Sequence, residues 1–150
     1  MKSIFNQNDN LSFITRIDKL TPESTAQWGK MQVSQMLAHC QQPLRVALGE
    51  LKLKRGIIGV LFGKMARKKL TANDAPFEHH MPTDKHFIIK DARDFETEKN
   101  NLKKIVTQMA EGGPDKLTKN AHPFFGRLTT SQWDILQVKH LDHHLRQFGV

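Results

Sequence analysis

At 150 residues, with 38% hydrophobic and 25% charged side chains, the chain is long enough for one domain with a real core and too apolar for a disordered one. No apolar run approaches the ~18–20 residues that span a bilayer, the opening MKSIFNQNDN lacks the apolar stretch of a secretory signal, and the single cysteine, Cys40, excludes an internal disulfide. One domain over residues 1–150 in a reducing cytoplasm is therefore expected, and the net charge of +8 is local, because residues 45–69 hold eight basic groups against the single acid Glu50.

In chain order, residues 10–20 read as a short helix with Phe13, Ile14 and Ile17 on one side. Thr21 and Pro22 are a helix-start pair, predicting a second short helix through Trp28 that breaks near Gly29. Residues 31–48 form the next helix. Val33, Met36, Leu37, Cys40, Leu44 and Leu48 share its apolar stripe, and Pro43 predicts a kink inside it. Residues 57–69, IIGVLFGKMARKK, read as an amphipathic helix weakened by Gly59 and Gly63. Residues 71–90 lack a sustained period and contain Pro76 and Pro82, which makes a loop of a length often kept for function. Within it HFIIK (86–90) is the one candidate strand. Asp91 is expected to cap a helix carrying Phe95, Leu102, Ile105, Val106 and Met109, ended by Gly112-Gly113-Pro114. After the loop NAHPFFGRL, Thr129 to Gln132 form a capping box that opens a helix running almost to the C-terminus. Four substantial helices and shorter ones predict an all-α bundle.

That last helix holds the chemistry. At 100° per residue, His140 and His144 lie about 40° apart on one face, the i, i+4 arrangement that lets two imidazoles reach one ion. Gln137 borders the same face, and His143 points outward or supports a ligand. An HxxxH pair alone is more often hydrogen-bonded or solvated than metal-bound. The best third donor is His39, at the edge of its helix's apolar stripe, while Cys40 sits nearer the centre and reads as a small core residue. His79 and His80 can shape a site mouth, although adjacent loop histidines are usually solvated. His122, Phe124 and Phe125 either line a pocket mouth or, the favoured reading, plug the end of the bundle around Pro123 and Gly126.

WGKMQVSQMLAHC (28–40), HPFFGRLTTSQW (122–133) and KHLDHHLRQFGV (139–150), in that order, resemble the DinB-like superfamily of metalloenzymes, in particular an uncharacterised bacterial branch. The resemblance spans about residues 20–150. It implies an up-down-down-up four-helix bundle, here with short extra helices and a long loop. It also implies a metal site of one histidine on the second helix and an HxxxH pair on the last, which correspond to His39, His140 and His144. Characterised relatives are thiol-dependent transferases or isomerases using bacillithiol, mycothiol or glutathione, and homodimers are common among them.

Three neutral imidazoles leave positions open for water or substrate, as catalytic sites do, and suit zinc or nickel equally. The expected function is a metal-dependent enzyme acting on a small-molecule substrate, either a thiol S-transferase with a low-molecular-weight thiol as cosubstrate or a hydrolase. Transfer is favoured because no carboxylate is placed as a general base, Asp142 lying opposite the histidine face. The alternative is a non-catalytic module whose basic 45–69 segment, with Lys52, Lys54 and Arg55, holds an anionic ligand or membrane surface. The bland reading of that segment is a solvated face with snorkelling lysines. Nucleic acid is the least favoured partner, since Phe62 is the segment's only aromatic.

Overall fold

The computed structural model of the chain describes residues 2–150. Its helices are α1 (Gln7–Asp18), α2 (Val33–Ala47), α3 (Ile57–Leu70), α4 (Phe95–Gly112) and α5 (Thr130–Gln147), with single 3-10 turns at Lys85–Phe87 and Pro114–Lys116. Among the described residues there is no sheet, and His122 and Gly126 make an isolated bridge. Helices α1, α2, α4 and α5 form a four-helix bundle in which both α1 and α2 pack against α4 and α5. Phe13 and Ile17 of α1, Met36, Leu37 and Leu44 of α2, Leu102 and Val106 of α4, and Leu141 and Leu145 of α5 fill its core. Burial of each such side chain contributes roughly 1.5–3 kcal/mol.

Several boundaries differ from the sequence reading, each for a local reason. Helix α1 starts three residues early because Asn6 accepts hydrogen bonds from the backbone N–H groups of Asn8 (3.0 Å) and Asp9 (3.1 Å). The helix expected through Trp28 does not form. Ser24 N–H donates to the Thr21 carbonyl (3.0 Å) while the Ser24 hydroxyl accepts from Thr21 N–H (2.9 Å), which closes one turn and stops. The following segment is strapped to the end of α5 by Gln27 N–H donating to the Gln147 carbonyl (2.8 Å). Asp94, not Asp91, caps α4, accepting from Thr97 N–H at 2.8 Å. The candidate strand at 86–90 begins instead in the 3-10 turn, where Asp84 accepts from His86 N–H (2.9 Å).

Helix α3 stands outside the bundle and explains its own glycines. Gly59 and Gly63 face the 123–125 loop so closely that a Cβ on Gly59 would lie 2.9 Å from Phe124 Cα, and one on Gly63 would overlap the Phe124 carbonyl. Both ends are tied down. Arg55 donates to the Gly59 carbonyl (3.1 Å), and the buried Lys139 of α5 donates to the carbonyls of Leu70 (2.8 Å) and Asn73 (3.2 Å). Arg67 also donates to the Arg127 carbonyl. Gly63→Ala is therefore expected to cost on the order of 1–3 kcal/mol in chemical denaturation. Gly56→Ala, with nothing within 4 Å of the added carbon, should cost only what the α3 N-cap position exacts, about 0.5–1 kcal/mol.

Candidate metal centre

The α2–α5 contact brings His39 against His140 and His144, and one nitrogen from each lies within 4.8 Å of the other two. His39 and His144 are buried, while His140 keeps a partial opening. Among the described residues no carboxylate or thiol joins them. The i, i+4 pair projects from one face of α5 with ring centroids 4.7 Å apart, and His39 meets the two rings at 4.9 and 4.6 Å.

Hydrogen bonds fix the tautomers of two rings. His39 Nδ1 lies 2.8 Å from the Phe87 carbonyl, an acceptor only, so Nδ1 carries the proton and Nε2 presents its lone pair. His144 Nδ1 lies 2.8 Å from Gln147 Oε1, likewise an acceptor, which again leaves Nε2 free. His39 Nε2 and His140 Nε2 approach to 3.0 Å. A tetrahedral ion with Zn–N bonds near 2.0–2.1 Å would place its nitrogens about 3.3 Å apart, close to the His39–His140 separation, and the three donors, all within 4.8 Å of one another, are able to chelate one divalent cation.

Electrostatics favour the neutral ligand form. Burial, then the neighbouring His144, His39 and His143, hold His140 well below the usual imidazole range. Burial and then His39 lower His144 to about 3, with the Gln147 bond opposing. Burial lowers His39 against the opposing Phe87 bond. Three imidazoles that resist protonation together form a cluster able to chelate a divalent metal without first losing protons.

A supporting layer surrounds them. Gln147 relays from His144 to the Trp28 carbonyl, to which its amide donates at 2.6 Å. Gly29 has φ +84°, and a Cβ there would lie 2.6 Å from that same amide nitrogen. The Trp28 ring stacks on His79 (3.9 Å, 14°) and meets His143 edge-on (5.6 Å). Its buried indole N–H has no protein partner. The 71–90 loop thus supplies the Phe87 carbonyl to His39 and the His79 ring to Trp28.

Gln147 and the Phe87 carbonyl were missed in the sequence, and Trp28, which reads there as a core residue, instead holds Gln147. Only Gln147 carried a signal, standing one turn beyond His144. Gln147→Leu is expected to weaken metal affinity about 10- to 100-fold in chelator competition, because it frees the His144 ring to turn.

The other candidates lie elsewhere or do other work. Gln137 is buried and donates to the Pro43 carbonyl (3.4 Å), tying α5 to α2. His122 accepts the backbone N–H groups of Phe124 (3.0 Å) and Phe125 (3.2 Å) at Nδ1 and packs against Phe125 and Trp133. Burial lowers its pKa to about 4. His143 sits beside His144 and under Trp28, and burial lowers its pKa. Cys40 is buried beside Met36 Sδ (3.6 Å), and burial raises its pKa. Asp142 pairs with Arg16 at 2.7 Å. Lys52 and Lys54 are exposed, whereas Arg55 is engaged with α3.

A family model described as "Protein of unknown function (DUF1569)" matches residues 5–149. No curated protein and no solved structure matches the chain.

Proposed function

Starting from a chain that belongs to the DUF1569 family of unknown function, we propose a metal-dependent enzyme that transfers a low-molecular-weight thiol to a small electrophilic substrate. His39, His140 and His144 are its ligands to one divalent ion, zinc or nickel. The observation that carries this reading is the close cluster of three imidazoles, in which Nδ1–H bonds to the Phe87 carbonyl and to Gln147 leave Nε2 of His39 and His144 unprotonated, with His39 Nε2 3.0 Å from His140 Nε2. The resemblance to the DinB-like superfamily supports the same ligand set.

A bound divalent ion supplies an acidified thiol or water as a nucleophile at neutral pH. The chain's own groups do the rest. The three imidazoles stay neutral because their surroundings disfavour the cation. Trp28, stacked on His79, holds Gln147 through its carbonyl, and the 71–90 loop orients His39 through the Phe87 carbonyl. Transfer is preferred to hydrolysis because the cluster holds no carboxylate to deprotonate water, and Asp142 is spent on Arg16. A thiol is acidic enough to need no such base.

The test uses chain purified without a histidine tag. Elemental analysis should give about one zinc or nickel per chain. The loaded protein should then accelerate displacement of chloride from a chlorinated electrophile by glutathione, bacillithiol or mycothiol, with a C–S bond replacing C–Cl and chloride and a proton released. Metal uptake with silence across all three thiols rejects the transferase and keeps the metal centre. No uptake after reconstitution with either ion rejects both.

A further inference from the structure

Helix α3 is built inside out. Its two smallest positions, Gly59 and Gly63, are buried against the 123–125 backbone, while Ile57, Ile58, Val60, Leu61, Phe62 and Met65 are each 52–81% exposed. The helix cannot roll to bury them, because turning the glycines outward would drive a Cβ-bearing side chain into Phe124. Single exposed apolar residues need no explanation, but six within nine positions make a continuous patch of the kind that marks an interaction surface.

The charge around the patch has one sign. Residues 51–70, LKLKRGIIGVLFGKMARKKL, contain seven basic side chains and no acid. Lys52 and Lys54 stand exposed before the helix, and Lys64, Lys68 and Lys69 on its second half. Lys69 reaches Glu78 at 3.3 Å, a pair in which both side chains are about three-quarters exposed and so add little. At 14 residues, α3 is roughly 21 Å long, short of the ~30 Å hydrocarbon thickness, and no helix among the described residues is long and apolar enough to cross a membrane. A short helix with a wide apolar face, bordered by lysines and fixed on the outside of a domain, has the composition of one that lies in the plane of a lipid interface.

We infer that α3 is a membrane-surface anchor, seated with Leu61, Phe62 and Met65 among the acyl chains and its lysines against the headgroups of anionic lipids. The lysine stems are long enough to lie along the apolar surface while the ammonium groups reach phosphate. Charge decides against a second copy, and the six large apolar side chains against an acidic groove. Closed pairing with a second copy would set this patch against itself and bring two cation-rich, acid-free segments together. An acidic protein groove would satisfy the lysines but must also cover large apolar side chains. Lys139, which holds the α3 C-terminus, is adjacent on α5 to His140, so the anchor is joined directly to the helix carrying two of the clustered imidazoles.

The test is co-sedimentation of the full, untagged, metal-loaded chain with vesicles of phosphatidylcholine alone or with about a third phosphatidylglycerol. Binding to the anionic vesicles should exceed binding to the neutral ones by tenfold or more and should weaken as salt is raised. The triple change Lys64→Gln, Lys68→Gln, Lys69→Gln should reduce it on the order of 100-fold, at about 1 kcal/mol per cation. Leu61→Glu, at a side chain already two-thirds exposed, should abolish it while leaving the helical circular dichroism intact. No sedimentation with anionic vesicles, or equal affinity for neutral ones, overturns the proposal. So does a dimer in sedimentation equilibrium that Leu61→Glu dissociates, since it assigns the face to a second copy.

Discussion

His39→Ala is expected to leave the chain without the stoichiometric zinc or nickel proposed for it and to remove the thermal stabilisation such an ion would confer, a fall in Tm of about 10 °C. The reasoning is one of linkage. An ion present at about 1,000 times its dissociation constant stabilises a fold by about 4 kcal/mol, and in a domain of this size each kcal/mol moves Tm by about 2–4 °C. The two α5 imidazoles that remain sit on one helix face and hold an ion far more weakly than three donors from two helices. The substitution also removes the donor that satisfies the Phe87 carbonyl, so the 71–90 loop should become more accessible to protease. His143→Ala provides the contrast, because His143 borders the cluster without belonging to it. It should keep its metal. Calorimetry with and without zinc distinguishes the cases, and full metal retention in His39→Ala would rule out the proposed ligand set.

Acid should unfold the metal-free chain well above the pH at which carboxylates protonate. His122 and His144 titrate near 4 and 3 when folded, and His39 and His140 are also lowered, whereas unfolded histidines take protons near 6.5. The unfolded chain therefore binds protons first as the pH falls. Stability is full above about pH 6.5 and declines progressively toward the folded values. His122 alone accounts for about 3 kcal/mol across that window, at ~1.4 kcal/mol per pH unit, and the clustered histidines add to it. Against a total of roughly 5–15 kcal/mol, the urea midpoint should drop steeply from pH 6 to pH 4. Saturating zinc, which competes with protons at three of the four rings, should move the onset to lower pH. A midpoint that stays flat between pH 7 and 5 would contradict the burial of these rings.

What the sequence disclosed tracks how local each determinant is. The α5 start was legible because its capping box is a four-residue signal, realised as Gln132 N–H donating to Thr129 Oγ1 (3.2 Å) and Thr129 N–H donating to Gln132 Oε1 (3.1 Å). The His140–His144 pairing was legible because i, i+4 neighbours share a helix face whatever surrounds them. The false helix after Thr21 shows the limit. Thr-Pro-Glu is a valid start, but Ser24 satisfies the same backbone groups within one turn. The Phe87 carbonyl and the Trp28–His79 stack were invisible, since both depend on where an irregular loop settles after the bundle forms. Helix α3 was recognised, but its orientation was not. Gly59 and Gly63 read in the sequence only as weakening the helix, and it is the close approach of the 123–125 backbone that shows the glycines pointing inward.

The order in which the centre comes together is set by chain separation. His39 reaches the Phe87 carbonyl across 48 residues, His140 across 101, and Gln147 reaches Trp28 across 119. Contacts so distant along the chain form only after the entropy of closing long loops has been offset by other native packing. Until α5 docks on α2, the polypeptide offers an ion no more than the local His140–His144 pair. Metal capture is therefore expected late in folding, after arrival of the final helix. In a stopped-flow refolding experiment, full-affinity zinc uptake should follow the slowest phase of core assembly, and adding zinc at the start should slow unfolding far more than it speeds folding.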